Sequence, residues 1–329
     1  MRLHMALPDH MDEGYWLFFY IATLRMIIVD TLPRTPRSAY DYVCALKDMA
    51  WGCVVKKIWY LAVFSLLAVG AYVGGTASAF AKAGPHVVNV VAKEYGYNMP
   101  KSIPAGPTLF HLTDDGNLLH QMTIIRLKQG KTVSDLTKLP PGPFPAWAVF
   151  MGGPNTPLPE GGQSRVAVNL PAGHYAVVCL IPGAGGVPHM MLGMERALTV
   201  TPSRHAERMP VADMTLKLVE YAFKFSKAPA AGHHVIRVEN RGTQPHEAEF
   251  FRLQPGKTGQ DVLNWVATGM KGPPPGAPVT GVTAMAPGKK NTLMVDFSRG
   301  NYAVICFMPD AKDGKPHAAH GMIHDFKVM

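Results

Sequence analysis

The second half of this chain repeats the first, and that constrains its fold more than any other feature. Tyr95-Gly96-Tyr97 matches Tyr221-Ala222-Phe223, Ala105-Gly106 matches Ala231-Gly232, and His120 matches His246. The run Arg126-Leu127-Lys128-Gln129-Gly130-Lys131-Thr132 matches Arg252-Leu253-Gln254-Pro255-Gly256-Lys257-Thr258, all at an offset of 126 residues. Gly173-His174-Tyr175-Ala176-Val177-Val178-Cys179 matches Gly300-Asn301-Tyr302-Ala303-Val304-Ile305-Cys306 at an offset of 127. His189 and Met194 match His317 and Met322 at 128. An offset this steady marks a tandem duplication, so both halves must fold as the same unit. Residues 82–202 and 213–329 are read as two domains joined by a linker at 203–212, a stretch poor in apolar residues.

Of the 329 residues 47% are hydrophobic and 17% charged, with 32 Gly and 29 Pro. That is too apolar for a disordered chain and too rich in turn formers for a helical bundle. Short β-rich runs fit instead. Val235–Glu239 alternates and stops at Asn240-Arg241-Gly242, while Ala248–Leu253, Tyr302–Phe307 and Ile323–Val328 are further strands. Short helices are expected at Gly259–Thr268 and, more weakly, Val133–Leu139. Pro140–Gly162 and Lys271–Gly288 read as loops, with the apolar stretch Gly142–Met151 either a docking surface or a cap on the sandwich. The fold class is therefore all-β, two tandem Greek-key β-sandwiches, each with one short helix.

Each copy contains one cysteine at the end of a β-run, a histidine far upstream, and a later His-x4-Met. Copy one offers His120, Cys179, His189 and Met194, and copy two His246, Cys306, His317 and Met322. Two imidazoles, a thiolate and a thioether are the donors of a type 1 copper electron-transfer site. Sulfur favours Cu(I) and imidazole accepts both oxidation states, so one rigid geometry serves both. The bland alternative is a pair of buried core thiols with structural histidines.

These motifs resemble the cupredoxin, or blue type 1 copper, family over about residues 87–329. Pro245-His246-Glu247-Ala248-Glu249-Phe250 is similar to the strand start carrying the first copper histidine. Gly300 to Cys306 resembles the Gly-x-Tyr-x-x-x-Cys strand, and Pro316-His317-Ala318-Ala319-His320-Gly321-Met322 the loop carrying the second histidine and the axial methionine. Copy one keeps all three, closing with Pro188-His189-Met190-Met191-Leu192-Gly193-Met194. The chain departs from small cupredoxins in its long Cys–His loops, with nine residues between Cys179 and His189 and ten between Cys306 and His317. Nitrite reductase-type domains share that length. The Asn usual after the first histidine is Gln121 in copy one and Glu247 in copy two.

The resemblance implies one copper per domain and an electron carrier rather than an enzyme, since neither cysteine has a flanking histidine. Two other readings stay open. One is a two-domain multicopper enzyme of nitrite reductase type, with a further copper on His320, His324 or His86. The other is a metal-free structural or binding module. His174, His233 and His234 are read as exposed, and Met190, Met191 and Met285 as transient Cu(I) ligands or core fillers. A carrier is expected to show one edge of His317 at the surface.

The formal charge of +9 is spread along the chain without a dense basic tract, which argues against nucleic acid and allows an acidic redox protein as partner. Lys56-Lys57, the apolar run Ile58–Val73 and Ala77-Ser78-Ala79-Phe80-Ala81 read as a secretory signal within 49–81. Residues 1–48 then represent an over-extended start or an extension. Export to the periplasm or outside is expected, with residues 58–73 as a membrane anchor if uncleaved.

Overall fold

A computed structural model of the chain describes residues 84–329 apart from 141, 205 and 206. The expected extension, signal and anchor therefore lie outside the described residues. Among the described residues, no helix is long and apolar enough to cross a membrane.

The first copy forms β1 (His86–Lys93), β2 (Gly96–Asn98), β3 (Ser102–Pro104), β4 (Gly106–Asp114), β5 (Thr123–Leu127), α1 (Val133–Thr137), β6 (Ala148–Gly152), β7 (Gly162–Leu170), β8 (Gly173–Val178) and β9 (Glu195–Thr201). The second forms β10 (Met214–Val219), β11 (Ala222–Phe225), β12 (Gly232–Asn240), β13 (His246–Leu253), α2 (Gly259–Ala267), β14 (Gly276–Met285), β15 (Lys290–Phe297), β16 (Gly300–Ile305) and β17 (Ile323–Val328). Alternation explains the layering. In β10, Met214, Leu216 and Leu218 are buried while Lys217 faces solvent, the period-two pattern of a strand with one face on a core. The fold is all-β, as expected.

The local devices repeat as the sequence does. Thr132 and Thr258 each accept from the backbone N–H of an aspartate three residues on, and Asp135 and Asp261 answer with a carboxylate on the threonine N–H. These capping boxes start α1 and α2. Thr258→Ala is expected to cost about 1 kcal/mol of stability, read from the urea midpoint; an unchanged midpoint would remove the cap from the account. Gly173 and Gly300 turn the chain with φ of +153° and +155°. The following tyrosines then latch back four residues, Tyr175 to the carbonyl of Pro171 and Tyr302 to that of Ser298. This is the tyrosine corner of sandwich folds, and it delivers each cysteine to the end of its strand.

Two points differ from expectation. Pro140–Gly162 and Lys271–Gly288 are not simply loops, because they contain β6 and β14. Those strands meet across the copies, Met285 opposite Met151 with a further bridge between Pro154 and Val282. In the other layer β15 pairs antiparallel with β7, from Asn291 opposite Val168 to Met294 opposite Arg165. The two sandwiches therefore share both sheets. One runs β11-β10-β12-β15-β7-β4-β1-β2 and the other β17-β16-β13-β14-β6-β5-β8-β9-β3. Their apolar interior is continuous, joining Phe110 and Leu112 to Phe250 and Leu293. Strand edges that would otherwise be open in each copy cover each other. Asn291 donates to Met151 O at 2.9 Å, and Ser164 and Thr280 hydroxyls meet at 2.8 Å. Proline and glycine obscured these strands, since both residues ordinarily signal turns.

The second point concerns the apolar stretch Gly142–Met151, which divides: Ala148, Phe150 and Met151 are buried on β6, with Phe144 edge-on to Phe150 at 4.9 Å, while Gly142, Pro143 and Ala146 are exposed.

Candidate metal centres

Each long Cys–His loop is pinned at both ends. Bridges between Pro182 and Pro188, and between Pro309 and Pro316, zip the two loops shut. A short 3-10 turn follows, His189–Leu192 in copy one and His317–His320 in copy two. Gly193 and Gly321 end these turns in left-handed conformation, with φ of +104° and +99°. The chain thereby folds back onto its own cysteine. Cys179 N donates to Met194 O at 3.2 Å and Met194 N to His189 O at 2.9 Å. The second copy repeats this with Cys306 N to Met322 O at 3.2 Å and Met322 N to His317 O at 3.0 Å. Extra loop length thus leaves the cysteine, histidine and methionine as closely tied as a short loop would.

The donors converge. In each copy one atom from each of three side chains lies within 4.8 Å of the others: His120, Cys179 and His189, and again His246, Cys306 and His317. Cys179 Sγ is 3.5 Å from His189 Nδ1, and Cys306 Sγ is 3.5 Å from His317 Nδ1. His246 Nδ1 and His317 Nδ1 stand 3.0 Å apart. All six residues are essentially inaccessible, and both cysteines are free thiols. Met194 and Met322 are fully buried, held to the cysteines through their main chains.

Electrostatics favour a soft cation. Burial, reinforced by the second imidazole, pulls His120 and His246 down to about 4. Burial likewise lowers His189 and His317. All four rings are therefore neutral near pH 7, the form that ligates metal. Burial pushes the Cys179 thiol up to about 12 and that of Cys306 higher still. Without a cation the sulfur keeps its proton, and a metal would displace it.

Both ring nitrogens of His120, and Nε2 of His246 and His317, have no hydrogen-bond partner, an unusual cost for buried polar atoms. Nitrogens 3.0 Å apart need a proton or a cation between them. Metal bonds of about 2.0 Å to nitrogen and about 2.3 Å to sulfur set donors about 3.3–3.7 Å apart, close to what is seen. The residues fit a copper held by two imidazoles and one thiolate.

The fold is cupredoxin-like.

Among solved structures, this cupredoxin-like chain is similar to dithionite-reduced auracyanin from the photosynthetic bacterium Roseiflexus castenholzii. Identity is 21% over 36% of this chain and 99% of that one, with a TM-score of 0.26. It is also similar to a multicopper oxidase (15% identity, 74% of this chain and 88% of that one, TM-score 0.23) and to the copper nitrite reductase of Nitrosomonas europaea (14%, 75% and 94%, TM-score 0.22). At such identities and scores these likenesses say nothing about what this chain does. No protein-family description matches the chain, and no curated protein matches it.

Sequence reasoning missed the lid over each candidate centre. The β1–β2 and β10–β11 turns carry the same dipeptide, Glu94-Tyr95 and Glu220-Tyr221, at the repeat offset. Both tyrosines adopt left-handed backbone, φ +58° and +60°, a conformation worth noting at a site. Tyr95 meets His189 edge-on at 5.3 Å and Tyr221 meets His317 at 5.8 Å. Glu94 accepts from Asn117 and Leu118 N–H groups, and Glu220 from Thr243. Glu220 Oε1 lies 3.8 Å from His246 Nε2. The dipeptide repeated at the shared offset was the available signal.

Several expectations need correction. His317 shows no edge at the surface; it is fully buried beneath Tyr221. His234 is buried rather than exposed, its ring 2.9 Å from Ala230 O. Glu247, in place of the usual Asn, is buried: its carboxylate accepts from Phe307 N at 3.0 Å and its N–H points at Cys306 Sγ at 3.5 Å. Met285 is a core filler, one of its two expected readings, with its sulfur 3.1 Å from Asn291 Nδ2 at the seam. His320 is exposed beside Asp313, and His324 packs on Phe225 and Phe326. Among the described residues, His320 joins Asp310 and Asp313 in a third donor group, two of its three members exposed, while His86 and His324 belong to no such group.

A cavity of about 680 Å³ lies between the copies. Its lining includes the immediate chain neighbours of all six donors, among them Gln121, Leu180, Pro188, Glu247, Phe307 and Pro316. The two centres thus border one apolar cleft.

Proposed function

We propose that this chain is an exported copper-binding protein that carries electrons through two type 1 centres. His120, Cys179, His189 and Met194 would hold one copper, and His246, Cys306, His317 and Met322 the other. The observation that carries this reading is the duplicated, buried convergence of neutral imidazoles on a free thiol, with ring nitrogens left unpartnered. Bound copper would supply reversible one-electron chemistry. The protein's part is to hold the donors fixed by the loop zippers, to exclude water through the Glu-Tyr lids, and to keep both rings neutral. N–H groups of Gln121 and Ile181 favour the thiolate form of Cys179, as those of Glu247 and Met308 do for Cys306. Electron exchange has a path through Tyr95, which is exposed and touches His189. An acidic redox protein suits the excess of basic residues, and the signal-like segment 49–81 supports export.

The test is copper loading of the purified full chain. Expected are two coppers per chain and an intense visible thiolate-to-Cu(II) absorption. Full reconstitution conditions that give no copper and no such band would overturn the reading. Nitrite turnover would favour the enzyme instead.

A further inference from the structure

The frames around the two centres share their motif residues and differ elsewhere, and one of the differences aims a charge at a donor ring. Four residues after the cysteine, copy one has Gly183 and copy two has Asp310. Asp310 is 4% exposed, and its Oδ2 lies 3.8 Å from Nε2 of His317, a buried nitrogen with no hydrogen-bond partner. Three donors hold the carboxylate in its charged form: Tyr221 OH at 2.6 Å, Gln244 Nε2 at 3.0 Å and Lys312 N at 2.8 Å. The nearby lysine, Lys315, pairs with Asp313 rather than with Asp310. In copy one a Cβ on Gly183 would stand 3.1–3.2 Å from Cδ2 and Nε2 of His189, so the same spot under the ring carries no side chain.

Other charged differences also exist: copy two has His320 where copy one has Leu192, with a ring nitrogen within 4.8 Å of the Asp310 carboxylate, and Glu249 where copy one has Thr123. Glu94 and Glu220 are equivalent. Copy one has a buried carboxyl at Asp114 where copy two has Asn240, and copy two has one at Glu247 where copy one has Gln121. Among the charged groups that differ, Asp310 is the one set against a donor-ring nitrogen, 3.8 Å from Nε2 of His317, and Gly183 offers no counterpart at His189.

We propose that Asp310 makes the two centres unequal, as a positioning residue that raises the donor strength of His317. A carboxylate at the remote nitrogen of a ligating imidazole enriches the ring, and in a low-dielectric site it favours the higher metal charge. The second centre therefore has the lower reduction potential. When the protein holds one electron, it resides in the first copy: Cu(I) in copy two and Cu(II) in copy one exchange to the reverse, one electron moving and no proton. This rests on reading both donor sets as copper centres.

The experiment is spectroelectrochemical titration of the copper-loaded full chain. Cys179→Ser and Cys306→Ser variants are used to assign each midpoint. The wild type is expected to give two midpoints, the lower belonging to the centre that contains Cys306. Asp310→Asn is expected to raise that midpoint and leave the other in place. Tyr221→Phe, which removes a donor to the carboxylate, is expected to move it the opposite way, a sign that loss of packing would not reproduce, and it decides the matter if Asp310→Asn does not fold. Unmoved midpoints, equal movement of both, or a lower potential at the Cys179 centre would overturn the inequality while the thiolate band persists. Absence of the band from the wild type would overturn the copper reading and this inference with it.

Discussion

Alanine at Cys306 is expected to abolish the visible thiolate band of the second centre and weaken copper binding there by more than 100-fold, while the metal-free protein stays folded. The thiolate is the one anionic donor of its set, and removing a group that only orients a ligand already costs 10–100-fold in metal affinity. Cys306 is fully buried within a packed strand end, so its loss leaves a small cavity at a cost of about 1 kcal/mol. Cys179→Ala is expected to act on the first centre in the same way, and the double variant to remove all colour. Copper must also stabilise the wild type by mass action, by about 4 kcal/mol per site at a thousandfold excess over the dissociation constant. The measurement is paired: copper titration followed by absorbance, and urea unfolding with and without copper. Variants that keep the band would show that the sulfur of this cysteine is not the donor.

Glutamine at Glu249 is expected to stabilise the metal-free protein by about 3 kcal/mol at pH 9 and to leave it unchanged at pH 4.5. Glu249 lines the cleft on β13, two residues from Glu247. Burial first, and the neighbouring Glu247 second, push its carboxyl up to about 8, with Thr156 acting against the rise. A carboxyl that binds its proton more tightly when folded costs nothing where both states are protonated. The cost grows as pH rises through the unfolded value toward the folded one, and is complete above it. The raw shift corresponds to somewhat under 5 kcal/mol, reduced here for partial exposure. Urea midpoints at the two pH values check this, and a variant equally stabilised or destabilised at both would show that ionisation is not the cause.

How much was legible in the sequence varies with the range of the interaction. The eight candidate donor residues, the capped helices and the Gly-x-Tyr strand all rest on contacts close along the chain, or on motifs seen twice. The structure brings His120, Cys179 and His189 together, as it does His246, Cys306 and His317. The strands β6 and β14 escaped because Pro278 and several glycines read as turn formers, and long-range pairing makes them strands, β6 with β5, β14 with β13, and each with the other at Met151 and Met285. The lid escaped because Glu94-Tyr95 and Glu220-Tyr221 look like ordinary turn residues. Their role arises where a hairpin tip lands on two histidines from distant strands.

Duplication, strand periodicity and donor spacing were written in the order of residues alone, because each is a local or repeated pattern that chemistry can interpret without coordinates. Burial of His317, the shared sheets, the common cleft and the unmatched charge of Asp310 were decided only when the chain closed on itself. Those properties depend on which surfaces exclude water from which others, and a carboxylate at 3.8 Å from an imidazole lies seven residues away in a loop whose path no spacing rule specifies.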